Sequence, residues 1–401
     1  MMRARLAARV LGPFQRFVST EAAGGVVLLA CAAIALAWAN SPWGAGYHTL
    51  WETPLGFDGR AFGLTLTLRE WVNDGLMAVF FLLVGLEIKR ELIVGELSSR
   101  RSAALPVIAA IGGMVVPAAA YALVNRGGPG AAGWGIPMAT DIAFALGILA
   151  LLGDRIPSGL RVFLAALAIA DDLGAVLVIG IFYTTGVHAI ALVGAAVIFA
   201  ILIAANRSGI RGAAFYIALG IVLWLFVLLS GVHATIAGVL LALAIPARSR
   251  GGDDQRRTLL DSFESALHAP VAFVIMPAFA LANAGVPLGG SVAAALGSPV
   301  ALGVVLGLVL GKPAGIMLAS AVAVRTGAAR LPDGVSWRQL HGVSWLGGVG
   351  FTMSLFIAAL AFPDTTTLDV AKLGVLTASI SAGAVAYLLL RGTVAGSART
   401  T

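Results

Sequence analysis

Two adjacent aspartates, Asp171 and Asp172, lie in the middle of the apolar run from Val162 to Tyr183. A carboxylate at mid-membrane depth costs roughly 2.5–3.5 kcal/mol on insertion scales, and an adjacent like charge raises that cost unless a proton or a cation neutralises it. Consecutive helical residues point about 100° apart, so the two side chains cannot form one clamp, but one of them can face a water-filled cavity. The pair predicts a cation or proton site, although core hydrogen bonds could also satisfy it.

Oxygen ligands for such a cation are available in the same chain. Na⁺ takes hard oxygen ligands, which Asp171, Asp172, the Thr140 hydroxyl and freed backbone carbonyls could supply. Because carboxylates also bind protons, protonation and cation binding compete at one site. Such competition is sufficient for exchange of the two ions.

A lysine, Lys312, lies deep within a predicted span, in the segment 307–313. A buried ammonium needs a partner or loses its proton. We expect it to meet an aspartate or to lie near the negative ends of half-helices, with Asp141 as the counterpart near their positive N-termini. Two roles stay open for Lys312 here, a structural counter-charge or an active part in proton transfer.

A second set of titratable residues lies near predicted helix ends. Members four residues apart share a helix face, so two glutamates of this set make an acidic mouth beside a basic residue. Histidine titrates near neutral pH, as a pH switch must, but a solvated helix end or a packed histidine would give the same pattern. The set comprises Glu87, Arg90, Glu91, Glu264, His268 and His233.

The composition is that of an integral membrane protein. The 401 residues are 59% hydrophobic and only 11% charged, with a mean hydropathy of +0.97, against about 25% charged residues in soluble domains. A spanning helix needs about 20 apolar residues, which predicts about twelve spans. They lie near 22–40, 70–88, 103–124, 134–153, 160–184, 187–205, 213–229, 231–246, 263–284, 299–324, 343–362 and 370–390.

The positive charge is distributed across a membrane rather than along a nucleic acid. The net charge is +7, and most of the 26 Lys and Arg residues fall on one side if the spans alternate. The residues Arg60, Arg69, Arg126 and Lys372 fall on the opposite side. The positive-inside rule then predicts that both termini are cytoplasmic.

Two predicted spans are interrupted. Gly135 and Pro137 precede Thr140 in 134–153, and glycines at 347, 348 and 350 interrupt 343–362. Pro removes a backbone donor and Gly weakens a helix, so both spans could unwind at mid-depth. Interrupted spans in two halves of a chain indicate an inverted-repeat transporter. Kinked but continuous helices are the alternative.

The segment 41–69 predicts a β-hairpin. It contains Asp58-Gly59 and then the alternation Leu64-Thr-Leu-Thr-Leu68, which are the signals of a tight turn and of a half-buried strand. Its free edge could pair with the same edge of a second protomer. An irregular loop is the alternative.

Six strings along the chain closely resemble the NhaA-type sodium/proton antiporters. They are MAVFFLLVGLEIKREL at 77–92, ATDIAFALG at 139–147, AIADDLG at 168–174, GVHATIAG at 231–238, GKP at 311–313 and GFTMS at 350–354. The resemblance implies an all-α polytopic membrane protein of about twelve helices, with inverted repeats at 103–184 and 299–390, unwound crossing helices at spans 4 and 11, and a small periplasmic β-hairpin. It implies one transport unit, with a cytoplasmic arm at 1–21 and a tail at 391–401.

The same resemblance implies electrogenic exchange of cytoplasmic Na⁺ or Li⁺ for external protons across a bacterial inner membrane, without a cofactor. It assigns cation binding to Asp172, with Thr140 in the unwound segment, and proton carriage to Asp171, which exchanges partnership with Lys312. Asp141 and Lys312 would offset the half-helix dipoles. The set of titratable residues near helix ends would form a cytoplasmic funnel and its pH response, and 41–69 would form a homodimer contact. The physiological roles implied are sodium tolerance and intracellular pH homeostasis.

One motif departs from the family pattern. Where Glu-His-x-x-His-Pro is expected, the chain reads Glu264-Ser-Ala-Leu-His268-Ala-Pro270, which loses one titratable group and displaces the proline. We therefore predict that exchange persists with a different pH midpoint.

Two other functional classes fit less well. An intramembrane aspartyl protease also uses two membrane aspartates, but in Tyr-Asp and Gly-x-Gly-Asp contexts, whereas Asp141 follows Ala-Thr and Asp171 follows Ala. A cation channel is the third possibility. Proton countertransport separates these classes in a vesicle assay.

Overall fold

The computed structural model describes residues 23–58, 63–153, 156–184, 186–247, 258–289 and 291–397. The predicted cytoplasmic arm 1–21, Gly59 in the hairpin turn and residues 398–401 of the predicted tail lie outside the described residues.

Helices dominate the described residues. The first half of the chain contains α1 (Ala23–Ala39), α2 (Gly44–Glu52), α3 (Leu68–Glu70), α4 (Met77–Ile93), α5 (Arg100–Val124), α6 (Ile142–Leu151), α7 (Ser158–Phe182) and α8 (Ala189–Arg207). The second half contains α9 (Ala213–Leu229), α10 (Ile236–Ala244), α11 (Leu259–Pro270), α12 (Met276–Asn283), α13 (Val292–Leu296), α14 (Pro299–Leu306), α15 (Lys312–Arg325), α16 (Trp337–Gly347), α17 (Phe351–Ala361) and α18 (Thr365–Ser397). Short 3₁₀ helices cover Glu96–Ser98 and Pro129–Met138, and π-helical turns cover Trp71–Leu76, Val271–Ile275 and Gly307–Gly311.

The predicted class, a polytopic helical membrane protein, is confirmed. Within the described ranges six helices are long and apolar enough to cross a membrane, and the number rises to nine if each of three bent helix pairs counts as one span. The total of twelve stays a prediction.

The predicted β-hairpin is present. Strand β1 (Pro54–Asp58) pairs antiparallel with β2 (Gly63–Thr67), and the pairing begins with Pro54 opposite Thr67. Thr67 ends the hairpin and begins the next helix, because its hydroxyl accepts the Glu70 amide while the Glu70 carboxylate accepts the Thr67 amide. This reciprocal capping satisfies amides that a helix start leaves unpaired.

The described chain divides into two compact units. The first contains 104–171 and 291–397 together with the start of α1, and the second contains 34–103 and 172–289, each without the gaps given above. In the first unit, buried side chains from α5, α6, α7, α15, α16 and α18 form a continuous apolar core. In the second unit, α4, α8, α9, α10 and α11 contribute a separate core around Tyr216 and Leu223.

Glycines allow close helix contacts within each unit. In the first unit, a Cβ added to Gly315 of α15 would meet the backbone of Gly112 on α5, 2.7 Å from its carbonyl carbon. In the second, a Cβ on Gly238 would lie 2.7 Å from the Leu82 amide nitrogen of α4. Small residues are the usual means by which membrane helices approach at backbone distance. The contact between α5 and α15 determines where Lys312, the first residue of α15, lies.

Candidate functional site

Two helix breaks lie against each other in the first unit. The 3₁₀ helix ends at Met138 and α6 begins at Ile142, with a 45° bend, while α16 ends at Gly347 and α17 begins at Phe351, with a 41° bend. The Asp141 amide donates to the Val349 carbonyl over 2.7 Å. Hydrogen bonds between the breaks thus replace those that each helix gives up, as buried backbone groups require.

Side-chain hydroxyls add to these contacts. Thr140 donates to the Gly347 carbonyl over 2.9 Å, and Ser354 donates to the Ile136 carbonyl over 2.7 Å. Both carbonyls lie in the last turn of a helical segment, where no following turn supplies an amide to pair with them. The two breaks are therefore joined in both directions.

Asp141 caps two helices at once. One carboxylate oxygen accepts the Phe144 amide of α6 over 3.0 Å. The other accepts the amide of Thr352 in α17 over 3.1 Å and its hydroxyl over 2.5 Å. A buried carboxylate at two helix N-termini is favoured by the partial positive charge of both. This is the position at which the sequence predicted a counterpart to the half-helix dipoles.

Lys312 and Asp171 form a buried ion pair. Both residues are fully buried, and the ammonium donates to Asp171 Oδ2 over 2.6 Å. The ammonium also donates to the carbonyl of Met138, the last residue of the 3₁₀ helix. A cation at the C-terminal end of a helix is favoured by the negative end of the dipole. Lys312 thus meets both partners that the sequence left open, an aspartate and a half-helix end.

Glycines enclose the alkyl chain of Lys312. A Cβ at Gly113 would lie 3.7 Å from Lys312 Cε, and one at Gly347 would lie 3.6 Å from Lys312 Cγ. The lysine side chain therefore runs between two backbone segments that carry no side chain. The space at these two positions is what the lysine chain occupies on its way to Asp171.

The carboxylate of Asp171 retains capacity for another ligand. Its Oδ1 atom is buried and accepts no hydrogen bond of good geometry from the residues that the structure describes. Thr140 lies beside it, and because the Thr140 proton is given to Gly347, the hydroxyl oxygen can offer its lone pairs. Hard oxygen donors of this kind suit Na⁺ and Li⁺. Asp172, the next residue of α7, is also buried, at 3% exposure.

Five predicted residues of the second unit form a charged cluster, defined as Glu87, Arg90, Glu91, Glu264 and His268. Arg90 donates to the Glu264 carboxylate and lies 3.9 Å from Glu91. His268 Nε2 lies 3.8 Å from Glu87 Oε1, so the two side chains form an ion pair when the histidine is protonated. The cluster joins the end of α4 to α11.

His233 is placed apart from that cluster. Its Nε2 lies 2.6 Å from the Tyr183 carbonyl, in the turn that precedes α10. Ser265, the residue that departs from the family motif, is exposed and donates to the Ser262 carbonyl over 3.1 Å.

Sequence reasoning missed two features of the first unit. Thr352 binds Asp141, and the signal was available because Thr352 follows the glycine interruption as Thr140 follows the other. Lys372, counted above on the side opposite to most positive charges, is buried in α18, at 1% exposure. Nothing in the sequence indicated that this lysine is buried.

Broken helices with bonded ends, a buried lysine–aspartate pair and many apolar spans define a polytopic membrane transporter. The sequence profile of the family described as Na+/H+ antiporter 1 matches residues 15–390. The chain belongs to this family, whose members are transporters and not enzymes.

Named relatives match over nearly the whole chain. The Na(+)/H(+) antiporter NhaA of Oleidesulfovibrio alaskensis is 47% identical, over 96% of this chain and 94% of the relative. That of Bordetella parapertussis is 51% identical, over 94% and 96%. Na(+)/H(+) antiporter NhaA 2 of Flavobacterium johnsoniae is 50% identical, over 94% and 92%.

Proposed function

We propose that this protein is an electrogenic antiporter that extrudes cytoplasmic Na⁺ or Li⁺ in exchange for external protons. The observation that carries the proposal is the buried pair of Lys312 with Asp171, beside an Asp171 oxygen that lacks a hydrogen-bond partner among the described residues. A pair of this kind is costly to bury, and ionisable groups within membrane spans mark ion pathways. The names of the relatives support Na⁺ and H⁺ as the exchanged ions.

The proposed exchange turns on which charge Asp171 faces. With Lys312 as partner, Asp171 is a carboxylate without a bound cation. When a cation enters with Asp172 and Thr140 as further oxygen ligands, Asp171 turns from Lys312 to the cation. When the cation leaves, Asp172 takes up one proton, and a further proton is taken up by Asp171, or by Lys312 if the lysine gave up its proton on releasing Asp171. More than one proton thus enters for each cation that leaves, which couples the two flows and moves net charge.

The membrane arrangement is part of the proposal. We assign the protein to a bacterial inner membrane with cytoplasmic termini and twelve spans, in which each of the two breaks is a span interrupted at mid-depth. The charged cluster and His233 would adjust exchange to cytoplasmic pH, and the hairpin would join two protomers. Sodium tolerance and intracellular pH homeostasis are the roles that such exchange serves.

The test is ion flux in proteoliposomes that contain the purified protein and a pH-sensitive dye. An antiporter dissipates an imposed proton gradient when Na⁺ or Li⁺ is added, a channel passes current without proton countertransport, and a protease does neither. Asp172→Asn should abolish the response, whereas Asp333→Asn, which removes an exposed aspartate, should leave it intact. Full exchange by Asp172→Asn would contradict the site assignment.

A further inference from the structure

Lys89 makes an unusual set of contacts that no step of the exchange above uses. Its ammonium donates to the carbonyls of Ala242, over 3.2 Å, and Leu243, over 2.7 Å, and also to that of Ile245. These residues form the last turn of α10 and the residue after it. Three carbonyls from one helix end therefore converge on one cation from another helix.

This arrangement solves a specific problem at the end of α10. The last carbonyls of a helix have no amide partner within it and must be satisfied from elsewhere. Asn206 of α8 donates a hydrogen bond to the Ala244 carbonyl over 2.8 Å. Lys89 donates to the carbonyls on either side of it, those of Ala242, Leu243 and Ile245. A cation there also meets the negative end of the helix dipole, which a neutral donor such as Asn206 does not exploit.

The contact also fixes α10 in relation to α4. A Cβ on Gly85 of α4 would lie 2.7 Å from the Ala242 Cβ, so the two helices already touch at backbone distance just before Lys89. Lys89 adds hydrogen bonds at the end of this contact. The α4–α10 pair is consequently held both by close packing and by a charge.

On its other faces the end of α4 carries the charged cluster. Arg90 and Glu87, the neighbours of Lys89 along α4, contact Glu264 and His268 of α11. The helix α10 itself contains no titratable residue. The titratable or charged side chains of the described helices around this end include those of Glu87, Arg90, Glu91, Asp261, Glu264 and His268, together with Arg207 in the last turn of α8.

We propose that Lys89 is a positioning residue that fixes the end of α10 to the charged end of α4, and so sets the geometry of the charged cluster during exchange. The inference rests on the proposed exchange and its pH response. Lys89 itself touches neither the cation nor the proton that is transported.

Lys89 is charged under the conditions in which it would hold α10. It follows the apolar span 70–88, and burial lowers the pKa of its ammonium from 10.5 to about 8. Below that pH the ammonium offers three donors to three carbonyls, and above it a neutral amine offers two. The contact is therefore complete at neutral pH and incomplete in alkali.

The test combines amide hydrogen exchange with transport by Lys89→Met, which keeps an unbranched side chain one atom shorter and removes its charge. We expect amides of 241–247 to exchange at least about tenfold faster than in the wild type. We also expect the pH of half-maximal Na⁺-driven exchange to move by about half a unit or more. Arg207→Met, which removes an exposed cation from the last turn of α8, should change neither quantity.

Each other outcome overturns the inference. Faster amide exchange with an unchanged pH midpoint would make Lys89 a purely structural cap, and a moved midpoint with unchanged amide exchange would make it a remote charge. If Lys89→Met does not fold, Lys89→Gln, which keeps two donors without charge, is judged by the same two readouts. The proposed function is tested separately: Na⁺-driven exchange should be present in the wild type and absent in Asp172→Asn, whatever Lys89→Met does.

Discussion

At the scale of single residues, the structure explains how charges are tolerated in an apolar interior. Lys312 and Asp171 neutralise each other, while Asp141 is neutralised by amides and a hydroxyl instead of a cation. The first arrangement can be broken by a competing ion, and the second cannot without releasing two helix starts. This difference separates a carboxylate that can carry an ion from one that holds the fold.

Breaking the buried ion pair should cost stability, and removing both charges should restore part of it. Lys312→Met leaves Asp171 as a buried anion without its cation, which costs about 3–5 kcal/mol of unfolding free energy. Lys312→Met combined with Asp171→Asn removes the uncompensated charge and should be the more stable of the two. Denaturation of the purified proteins in detergent at neutral pH measures both, and equal stabilities would refute a direct pair.

The Thr352 hydroxyl should matter through Asp141 alone. Thr352→Val keeps the shape of the side chain but leaves the buried carboxylate short of one donor, at a cost of about 1–3 kcal/mol. Thr352→Ser retains the hydroxyl and serves as the matched control. Thermal unfolding of the three proteins decides the matter, since a serine variant as unstable as the valine variant would point to packing instead.

Ser265 is the position where this chain departs from its family. Ser265→His restores a titratable group three residues before His268, so we expect the pH midpoint of exchange to move while exchange itself persists. Na⁺-driven proton flux in vesicles between about pH 6 and 9 measures this midpoint. A superimposable profile for the two proteins would rule out the departure as its cause.

Insertion cost alone identified Asp171, Asp172 and Lys312 as residues that need partners. It could not identify the partners, because these depend on which helices touch. Gly112 and Gly315 bring α5 and α15 together, which places Lys312 near Asp171. Gly113 and Gly347 leave room for the lysine chain. Gly347 belongs to an interruption that the sequence shows, but Gly112, Gly113 and Gly315 carry no signal that distinguishes them from the other glycines of the chain.

At the scale of helices, the paired breaks are maintained by bonds that run across them. Extended backbone at Ala139 and Asp141 separates the 3₁₀ helix from α6, and the Asp141 amide pairs with Val349 of the other break. Proline and glycine made the two interruptions predictable. The bonds between them were not predictable, since nothing in either segment alone specifies the other as its partner.

The glycine contact between α5 and α15 gives a prediction with an internal control. Gly315→Ala and Gly392→Ala both replace a helical glycine and gain up to about 1 kcal/mol in helix propensity. At Gly392 the new methyl meets open space, whereas at Gly315 it meets the Gly112 backbone. We expect Gly392→Ala to raise the unfolding temperature and Gly315→Ala to lower it; the same sign for both would mean that the contact is not tight.

At the scale of the whole molecule, composition predicted the class of protein and local signals predicted the hairpin. The division into two compact units had no sequence signal, because three of its four boundaries, after Ala33, Ala103 and Asp171, fall inside helices and not in linkers. The π-helical turns were likewise not predicted. Two of them adjoin prolines, Pro270 and Pro313, whose missing amides disturb the regular helical bonding.

The hairpin should be dispensable for exchange but required for assembly. Pro54 and Thr67 are paired neighbours, so a short Gly-Ser linker can replace residues 55–66 without moving α2 or α3. We expect the shortened protein to be monomeric, by light scattering in detergent, with unchanged exchange per protomer in vesicles. A dimer of undiminished stability would place the contact between protomers elsewhere.

The two glycines beside the Lys312 side chain, Gly113 and Gly347, are positions at which such a transporter could diversify. Gly113 and Gly347 border the lysine chain without contributing any charge. A methyl group at either would press on the Ile316 side chain, one turn along α15 from Lys312, and leave every carboxylate unaltered. Adaptation to a new salt or a more alkaline habitat could therefore begin at an uncharged position. A search for such adaptations that compared only acids and bases would overlook it.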